Sequence, residues 1–540
     1  MQEINLNQIG LKFRMNKREK LTFLKSSPRL LPLVAALFLA ACSMQPLYQV
    51  PQMQVPAQFK EATPQAAQFG IWQAARHGAD GQPVLVSAQW WTVYGDAVLN
   101  QLQDAAAKAN PSVEQAVARL RAAQASVASS RAAQLPTLGT TGSGSRALTG
   151  GGTYSNTNGE NVARSGSINN NFSLGLSASW ELDLWGKLSG AVDSSRASAQ
   201  ASGDDLAAAR LSTQASVAQT YFSLRAAEAQ AVLQQESLEA YEQSLKLTQN
   251  RYKAGVVSSA DVAQAESQYK STQAQLLESQ TTRAQYEHAL AALLGKAPAA
   301  FSLPVTGVLP TPPAVPAMLA STLLEQRPDI AAAERRVFAA NAQIGVARAA
   351  YFPSLTLSAS AGYRNSMLSE LLNAPNLFWS LGPALALNLF DGGARNAAVE
   401  SARASLDLAA ATYKQTVLTA LQEVEDNLVA ATHLTQEEAL QGEALVAAQK
   451  SLTVANNQYK AGIVAYLNVL SAQTTVLSAQ NNLISVKNRR LTAVNTLLKN
   501  VAGRWEPVDG KAVAQAANQP VTQSVTQSVT QSVTQPAAVQ

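Results

Sequence analysis

Each half of the chain holds a long uninterrupted stretch with heptad spacing, and this feature limits the fold more than any other. In the first half, Val217, Thr220, Leu224, Ala227, Ala231, Gln234, Leu238, Tyr241, Leu245, Thr248 and Tyr252 keep the 3-4 spacing of a coiled-coil seam. A helix over about residues 187–253 would extend ~100 Å at 1.5 Å per residue, a length for crossing a compartment rather than filling a globular core. Residues 466–500 carry two adjacent apolar stripes. Leu470, Leu477, Ile484, Leu491 and Leu498 form one, and Val469, Val476, Leu483 and Leu497, interrupted by Arg490, form the other. A dimeric coiled coil needs one seam, whereas two seams ~100° apart give the helix a neighbour on each side, as in a closed ring. Composition agrees. Charged residues are only 14%, and alanine, serine and glutamine fill the long stretches, which suits closely packed helices.

The chain also repeats itself. Arg251-Tyr252-Lys253-Ala254-Gly255-Val256-Val257 matches Gln458-Tyr459-Lys460-Ala461-Gly462-Ile463-Val464, and Arg196-Ala197 pairs with Arg403-Ala404, both about 207 residues apart. Arg131 through Pro136 pairs with Arg348 through Pro353. The first repeat, 96–302, is expected to comprise a helix, a β-hairpin at about 136–184, the long helix, and a return helix at about 260–295. The second, 321–505, follows the same order: helix, hairpin at about 354–390, long helix at about 395–460, return helix at about 466–502. A proline-rich linker, 303–320, separates them, and the Val-Thr-Gln-Ser repeats of the 506–540 tail predict disorder.

The hairpin regions alternate with period two. Phe172, Leu174, Leu176, Ala178, Trp180, Leu182 and Leu184 are interleaved with Ser173, Gly175, Ser177, Ser179, Glu181 and Asp183. Leu355, Leu357, Ala359, Ala361 and Tyr363 repeat the pattern, as do Trp379, Leu381, Pro383, Leu385, Leu387 and Leu389. A fourth strand near 136–149 is richer in glycine and threonine. Such strands suit a membrane barrel, lipid outside and water inside, with Glu181 and Asp183 as lumen-facing carboxylates. A soluble antiparallel sheet with one wet face would show the same alternation. Four strands cannot close a membrane barrel, and open edges in lipid leave backbone groups unpaired, so the barrel reading requires the chain to associate with copies of itself.

The basic overall charge belongs to the N-terminus. Residues 1–41 hold seven Lys/Arg against Glu3 and Glu19, and the remainder balances, so nothing supports a nucleic-acid partner. A basic stretch, with Met15 as an alternative start, precedes an apolar run from Leu30 to Ala41 that is too short to span a bilayer but suits a secretory signal. Leu39-Ala40-Ala41-Cys42 resembles a bacterial lipoprotein box, which makes Cys42, the sole cysteine, the lipidated first residue of a 42–95 N-terminal segment. An ordinary signal peptide with an incidental cysteine is the alternative. His77, His288 and His433 are scattered, no Lys-Ser/Thr follows the glycines in P-loop order, and no residue set supports an enzyme, a metal or a cofactor.

Together these residues resemble the TolC-like outer-membrane efflux proteins, in the lipoprotein branch that serves resistance-nodulation-division pumps. Gln89-Trp90-Trp91 with Asp96, Leu99, Leu102 and Asn110, the run from Trp180 to Lys187, and Arg327-Pro328-Asp329-Ile330 with Phe352-Pro353-Ser354-Leu355 carry the resemblance. It implies a mostly α chain of long coiled-coil helices, with four strands contributed to a 12-strand barrel in a homotrimer. It further implies a 12-helix periplasmic tunnel, a periplasmic adaptor and an inner-membrane pump as partners, and anchorage in outer-membrane lipid. The turns after Tyr252 and Tyr459, with Gly255 and Gly462, would be the periplasmic tips that close the resting channel and meet the adaptor. Asn468 and Ser471 stand where the best-known relative has aspartates, so a cation-attracting ring is in doubt. Asp261 is either a partial substitute or a helix cap beside Ser258 and Ser259.

The expected function is therefore a passive exit duct for drugs or other small toxicants. Alternatives are a duct for type I protein secretion or for metal cations, and a lipid-anchored structural tether without a pore.

Overall fold

The computed structural model describes residues 44–53, 59–60, 89–155, 159, 161–164, 166–313 and 327–502. The signal segment, Cys42, the linker residues 314–320 and the C-terminal tail lie outside them. Among the described residues the chain alternates helices and strands. After a 3-10 turn at Trp90–Tyr94 come α1 (Ala97–Ala109), α2 (Pro111–Ala132), β1 (Thr137–Thr149), β2 (Gly152–Ser155), β3 (Asn161–Arg164) and β4 (Ser167–Leu182). There follow α3 (Lys187–Lys253), α4 (Ser259–Leu293), α5 (Pro328–Ala349), β5 (Ser354–Asn365), β6 (Leu377–Ala386), α6 (Ala394–Lys460) and α7 (Tyr466–Ala502).

Helices α3 and α6 each run for 67 residues, ~100 Å at 1.5 Å per residue. Capping residues fix where the shorter helices start. The Asp96 carboxylate accepts from the backbone N–H groups of Val98 and Leu99, and the Asn110 side chain does the same for Ser112 and Val113, with Pro111 in the first turn. Helix α2 packs on the upper, sheet-proximal part of α3 and α4 on its lower part, while α5 and α7 fill the space between α3 and α6 above and below. The chain is thus a wall four helices wide at each level.

The sheet has the order β1-β4-β5-β6, antiparallel throughout, with β2 and β3 forming a small separate hairpin. Each strand continues one helical column, so the lateral order of strands equals that of α2, α3, α5 and α6. The column of β1 and the column of β6 each end the wall, in the sheet and in the helices alike. Strand β6 stops at Ala386, so Leu387 and Leu389 lie beyond it, shorter than the expected hairpin to about 390. The reason is pairing: β5 starts only at Ser354, opposite Ala386, immediately after Pro353.

The core sits at the waist. Trp90, Leu99, Val217, Tyr221, Phe222, Leu290, Ile330, Val337, Val417, Val424, Leu491 and Val494 form one buried cluster. A buried ionic clamp adjoins it. Arg225 donates to Glu228 at 2.7 Å and to the Pro304 carbonyl at 3.0 Å, and Glu228 also accepts from the Thr306 N–H. Arg283 bridges Glu228 and Glu287 and donates to the Leu303 carbonyl at 2.7 Å, while the Leu303 N–H returns to Glu287 at 2.7 Å. The clamp fastens the start of the proline-rich linker to α3 and α4. Burial opposes ionisation of Glu287, but the Leu303 N–H and Arg283 outweigh it and hold the carboxyl below the usual glutamate range.

Removing one partner from such a cluster leaves a buried charge uncompensated, which costs about 3–5 kcal/mol. Glu228→Ala is expected to lower the denaturation midpoint accordingly. Because its folded pKa is depressed, Glu287 contributes stability above the ordinary value of 4.5 and loses it as the pH falls through the folded value. Melting curves of Glu287→Gln across pH 3 to 7 should therefore depend less on pH than those of the parent, about 3 and 7 being chosen to bracket the carboxylate range. Equal acid sensitivity of the two proteins would remove the clamp from this account.

Candidate functional site

At the end of the wall away from the sheet, two tight turns join α3 to α4 and α6 to α7. They close in the same way. The Val256 N–H reaches back to the Arg251 carbonyl at 2.9 Å and the Gly255 N–H to Tyr252 at 2.8 Å. In the second turn the Ile463 N–H reaches Gln458 at 2.9 Å and the Gly462 N–H reaches Tyr459 at 3.0 Å. This pair of bonds satisfies carbonyls that a helix end leaves open and places one residue in the left-handed region. Gly255 has φ 74° and Gly462 φ 76°. A Cβ at either would meet nothing within 4 Å, so the requirement for glycine is one of dihedral angle alone.

The two turns differ in what surrounds them. Ser258 and Asp261 form a reciprocal capping box at the start of α4, so Asp261 is held as a helix cap: its carboxylate accepts from the Ser258 N–H and hydroxyl. Asn468 and Ser471 stand on α7 and, with Ser451 and Thr475, line a surface cavity of about 310 Å³ between α6 and α7. Tyr252 is half exposed at 49%, whereas Tyr459 is 6% exposed. The Tyr459 ring packs 5.7 Å from Tyr466 and joins Ala265 and Val469 in a small buried cluster. The Arg251 guanidinium lies 4.5 Å above the Tyr459 ring and donates to the Tyr459 carbonyl at 3.3 Å. Ser244 on α3 donates to the Tyr466 hydroxyl at 3.1 Å. Burial, offset in part by that hydroxyl, pushes the Tyr466 phenol up.

Arg251, Ser244 and Tyr466 therefore fasten the first hairpin to the second, and motif reading passed over all three in this role. The signal was present in the repeat itself: Arg251 aligns with Gln458 and Tyr466 with Ser259, so each half lacks the other half's contact residue.

At the opposite end, register sorts the sheet into two faces. Leu138, Ala178, Ala359 and Leu381 lie in one row, and Thr140, Leu176, Ala361 and Trp379 in the next row on the same side. Gly139, Ser177, Ser360 and Ser380 form a row on the other side, followed by Thr137, Ser179, Ser358 and Gly382. Hydroxyls pair across this polar face, Ser143 with Ser173 and Ser360 with Ser380, each at 2.8 Å. Glu181 belongs to the polar face and pairs with Lys187 at 3.0 Å. Asp183 does not belong to the strand, contrary to its expected place as a strand carboxylate. It lies past Leu182 and accepts from the N–H groups of Leu188 and Ser189, at 3.1 and 2.7 Å, because the exposed amides at the start of α3 need an acceptor.

Cys42 is outside the described residues, but the chain just after it is placed. The Gln45 side chain crosses Gly345, where an added Cβ would come within 2.6 Å of Gln45 Cγ. Asn341 donates to the Pro46 carbonyl at 3.0 Å, and Tyr48 packs edge-on against Phe338 at 5.0 Å. This segment therefore descends along α5 from its sheet-proximal end. Among the described residues no helix is long and apolar enough to cross a membrane, and no cluster of His, Cys, Asp or Glu could hold a metal ion.

Comparison with known proteins gives a consistent result. The family profile described as Outer membrane efflux protein matches residues 102–296 and 319–503. The probable efflux pump outer membrane protein TtgC of Pseudomonas putida is 32% identical over 489 residues, spanning 90% of this chain and 97% of that protein. The cation efflux system protein CusC of Escherichia coli is 31% identical over 448 residues, spanning 82% and 92%. The crystal structure of the Campylobacter jejuni CmeC outer membrane channel superimposes with a TM-score of 0.75 at 25% identity, covering 88% of this chain and 98% of that one.

A side chain at Gly255 or Gly462 must be held in a left-handed conformation that costs roughly 1–2 kcal/mol, more for a branched residue. Gly255→Val and Gly462→Val are expected to leave the waist intact and speed amide exchange within the two tip turns. Unchanged exchange there in both variants would show that the turns tolerate the substitution.

Proposed function

The chain belongs to the outer membrane efflux protein family, whose members are channels of the Gram-negative outer membrane reaching into the periplasm, and on that premise we propose that it forms the passive exit duct of a tripartite pump for small toxic molecules. The observation that carries the reading is the coincidence of edges. The sheet and the helical wall end in the same two columns, β1 with α2 and α4 on one side, β6 with α6 on the other. Exposed apolar side chains on the outer helices, among them Leu277 on α4 and Leu408, Leu418 and Leu440 on α6, await cover. Joining the β6 edge of one copy to the β1 edge of the next is a head-to-tail contact, and such contacts generate rings where the rotation between copies closes. Four strands per chain, with the family's threefold arrangement, give 12 strands around a lumen lined by the serine, threonine and glycine face. The same ring continues below as 12 helices at each level. The repeat of the sequence thus becomes a quasi-sixfold tunnel.

In this reading Cys42 carries the lipid, and the Gln45–Met53 segment on α5 keeps it at the membrane end of the tunnel; loss of acyl labelling in Cys42→Ser tests that point. The tips close the resting duct through the Arg251–Tyr459 contact and the Tyr466 cluster, and they receive a periplasmic adaptor coupled to an inner-membrane resistance-nodulation-division pump. The groove lined by Asn468 and Ser471 lies where the adaptor would meet α6 and α7. Asn468 and Ser471 are uncharged, so α7 supplies no acidic ring from these positions, and Asp261 is held as a cap at the start of α4. The chain itself performs no chemistry. Relatives include an outer membrane protein of a toluene efflux pump and one of a cation efflux system, so a metal-cation cargo is the second reading, supported by the likeness to CusC.

Single-channel recording in planar bilayers tests the reading. The parent protein should form a trimer of low conductance, and Arg251→Ala combined with Tyr459→Ala should raise the conductance several-fold by loosening the tips. A trimer that stays silent with both contacts removed would favour a non-conducting tether. Restored export of organic dyes, but not of metal cations, in a host lacking its own duct separates the two cargo readings.

A further inference from the structure

We propose that Arg146, with Asn170 beside it, is a binding site for the phosphate groups of the phosphorylated glycolipid in the outer leaflet. The inference rests on the barrel reading above and adds a ligand to its outer wall. Register places Arg146 directly opposite Asn170, on the same face as the rows Leu138–Ala178, Thr140–Leu176 and Gly142–Leu174. That is the apolar face, the one a membrane barrel turns towards lipid. An arginine there needs a reason, since a cation at the bilayer midplane destabilises such a barrel by about 2–4 kcal/mol and by almost nothing near the interface.

Its height supplies the reason. On this face Trp180 stands towards the helical end and Phe172 and Tyr363 towards the far end, with Trp379 in a row between them. The eight residues from Trp180 to Phe172 span ~26 Å along the strand, ~20 Å vertically at the usual tilt of about 40°. Arg146 stands one outward row beyond Phe172, ~5 Å higher on the same arithmetic, which is the depth of headgroups rather than acyl chains. Because the helices leave the other end of the sheet, this end faces the cell exterior.

The surroundings fit an anion. The guanidinium is exposed and makes no ion pair among the described residues. The Phe172 ring leans over Gly144, where a Cβ would meet it at 3.1 Å, and so clears the row below the arginine while lining it with apolar surface. Leu148 and Ile168, opposite one another and exposed, bracket it from above. A planar guanidinium beside a carboxamide offers a fork of donors matched to a phosphate.

The test uses the full mature protein in detergent, titrated with diphosphorylated lipid A and with the same lipid stripped of its phosphates, bound lipid being counted by native mass spectrometry. The parent should retain the phosphorylated form about tenfold more tightly, a ratio in keeping with a charge-assisted pair. Arg146→Gln should abolish the preference, Arg146→Lys should keep part of it, and Arg364→Gln on the polar face should leave it intact. Equal preference in Arg146→Gln and the parent, in protein that still inserts and conducts, overturns the site while the duct reading stands. Parent protein that neither inserts into bilayers nor conducts overturns both.

Discussion

A strand edge in hydrocarbon leaves a row of N–H and C=O groups without partners, at several kcal/mol each. This constraint governs the rest of the molecule. The described residues form a sheet of four strands with two open edges, β1 and β6, and no smaller unit than a closed ring of copies removes them. In the proposed ring the apolar face of the sheet meets lipid and its serine-rich opposite face meets water.

The helices obey the same closure for a different reason. Columns of α2 with α4, and of α6, stand at the edges of the wall as β1 and β6 stand at the edges of the sheet, so in the proposed ring one contact between copies would seal both. Trp185 ties the two halves where strand becomes helix, donating to the Pro353 carbonyl at 2.7 Å and stacking on Phe352 at 4.8 Å. At the waist, Arg327 grips Asp329, Glu423 and Asn500 and so joins α5, α6 and α7. The resulting frame is fixed in its middle, while the tips hang from long helices and are held together by Arg251, Tyr459 and Tyr466. Motion at the tip is accordingly cheaper than motion at the waist.

Much of this was legible because period and turn chemistry are local. Alternation from Phe172 to Leu182 tells of a strand with two unlike faces, and Gly255 and Gly462 after matching Tyr-Lys-Ala segments tell of two like turns. What escaped the sequence depends on contacts between distant segments. Glu228 and Arg225, three residues apart on a helix, look like an ordinary surface pair until Arg283 and the Pro304 carbonyl converge on them. Asp183 continues the alternation of its strand, yet the open amides at the start of α3 draw it into a cap. Leu387 and Leu389 alternate too, but nothing lies opposite them to pair with. The β2–β3 hairpin, in a stretch of glycine, threonine and asparagine, has no apolar pattern that would announce it. Arg146 was passed over because its meaning lies in its height above Phe172, which only the register reveals.

Closure between copies is the central claim, and disulfide cross-linking across the two edges tests it most directly. In protein whose native Cys42 is replaced by serine, one cysteine at Thr141 on β1 would be combined in turn with cysteines along β6 from Leu377 to Ala386. Oxidation at the matching register should convert the chain into covalent trimers with no larger species, as a ring of three demands. Cross-linked products that stop at dimers, or that climb without limit, would contradict the closed ring and the duct built upon it.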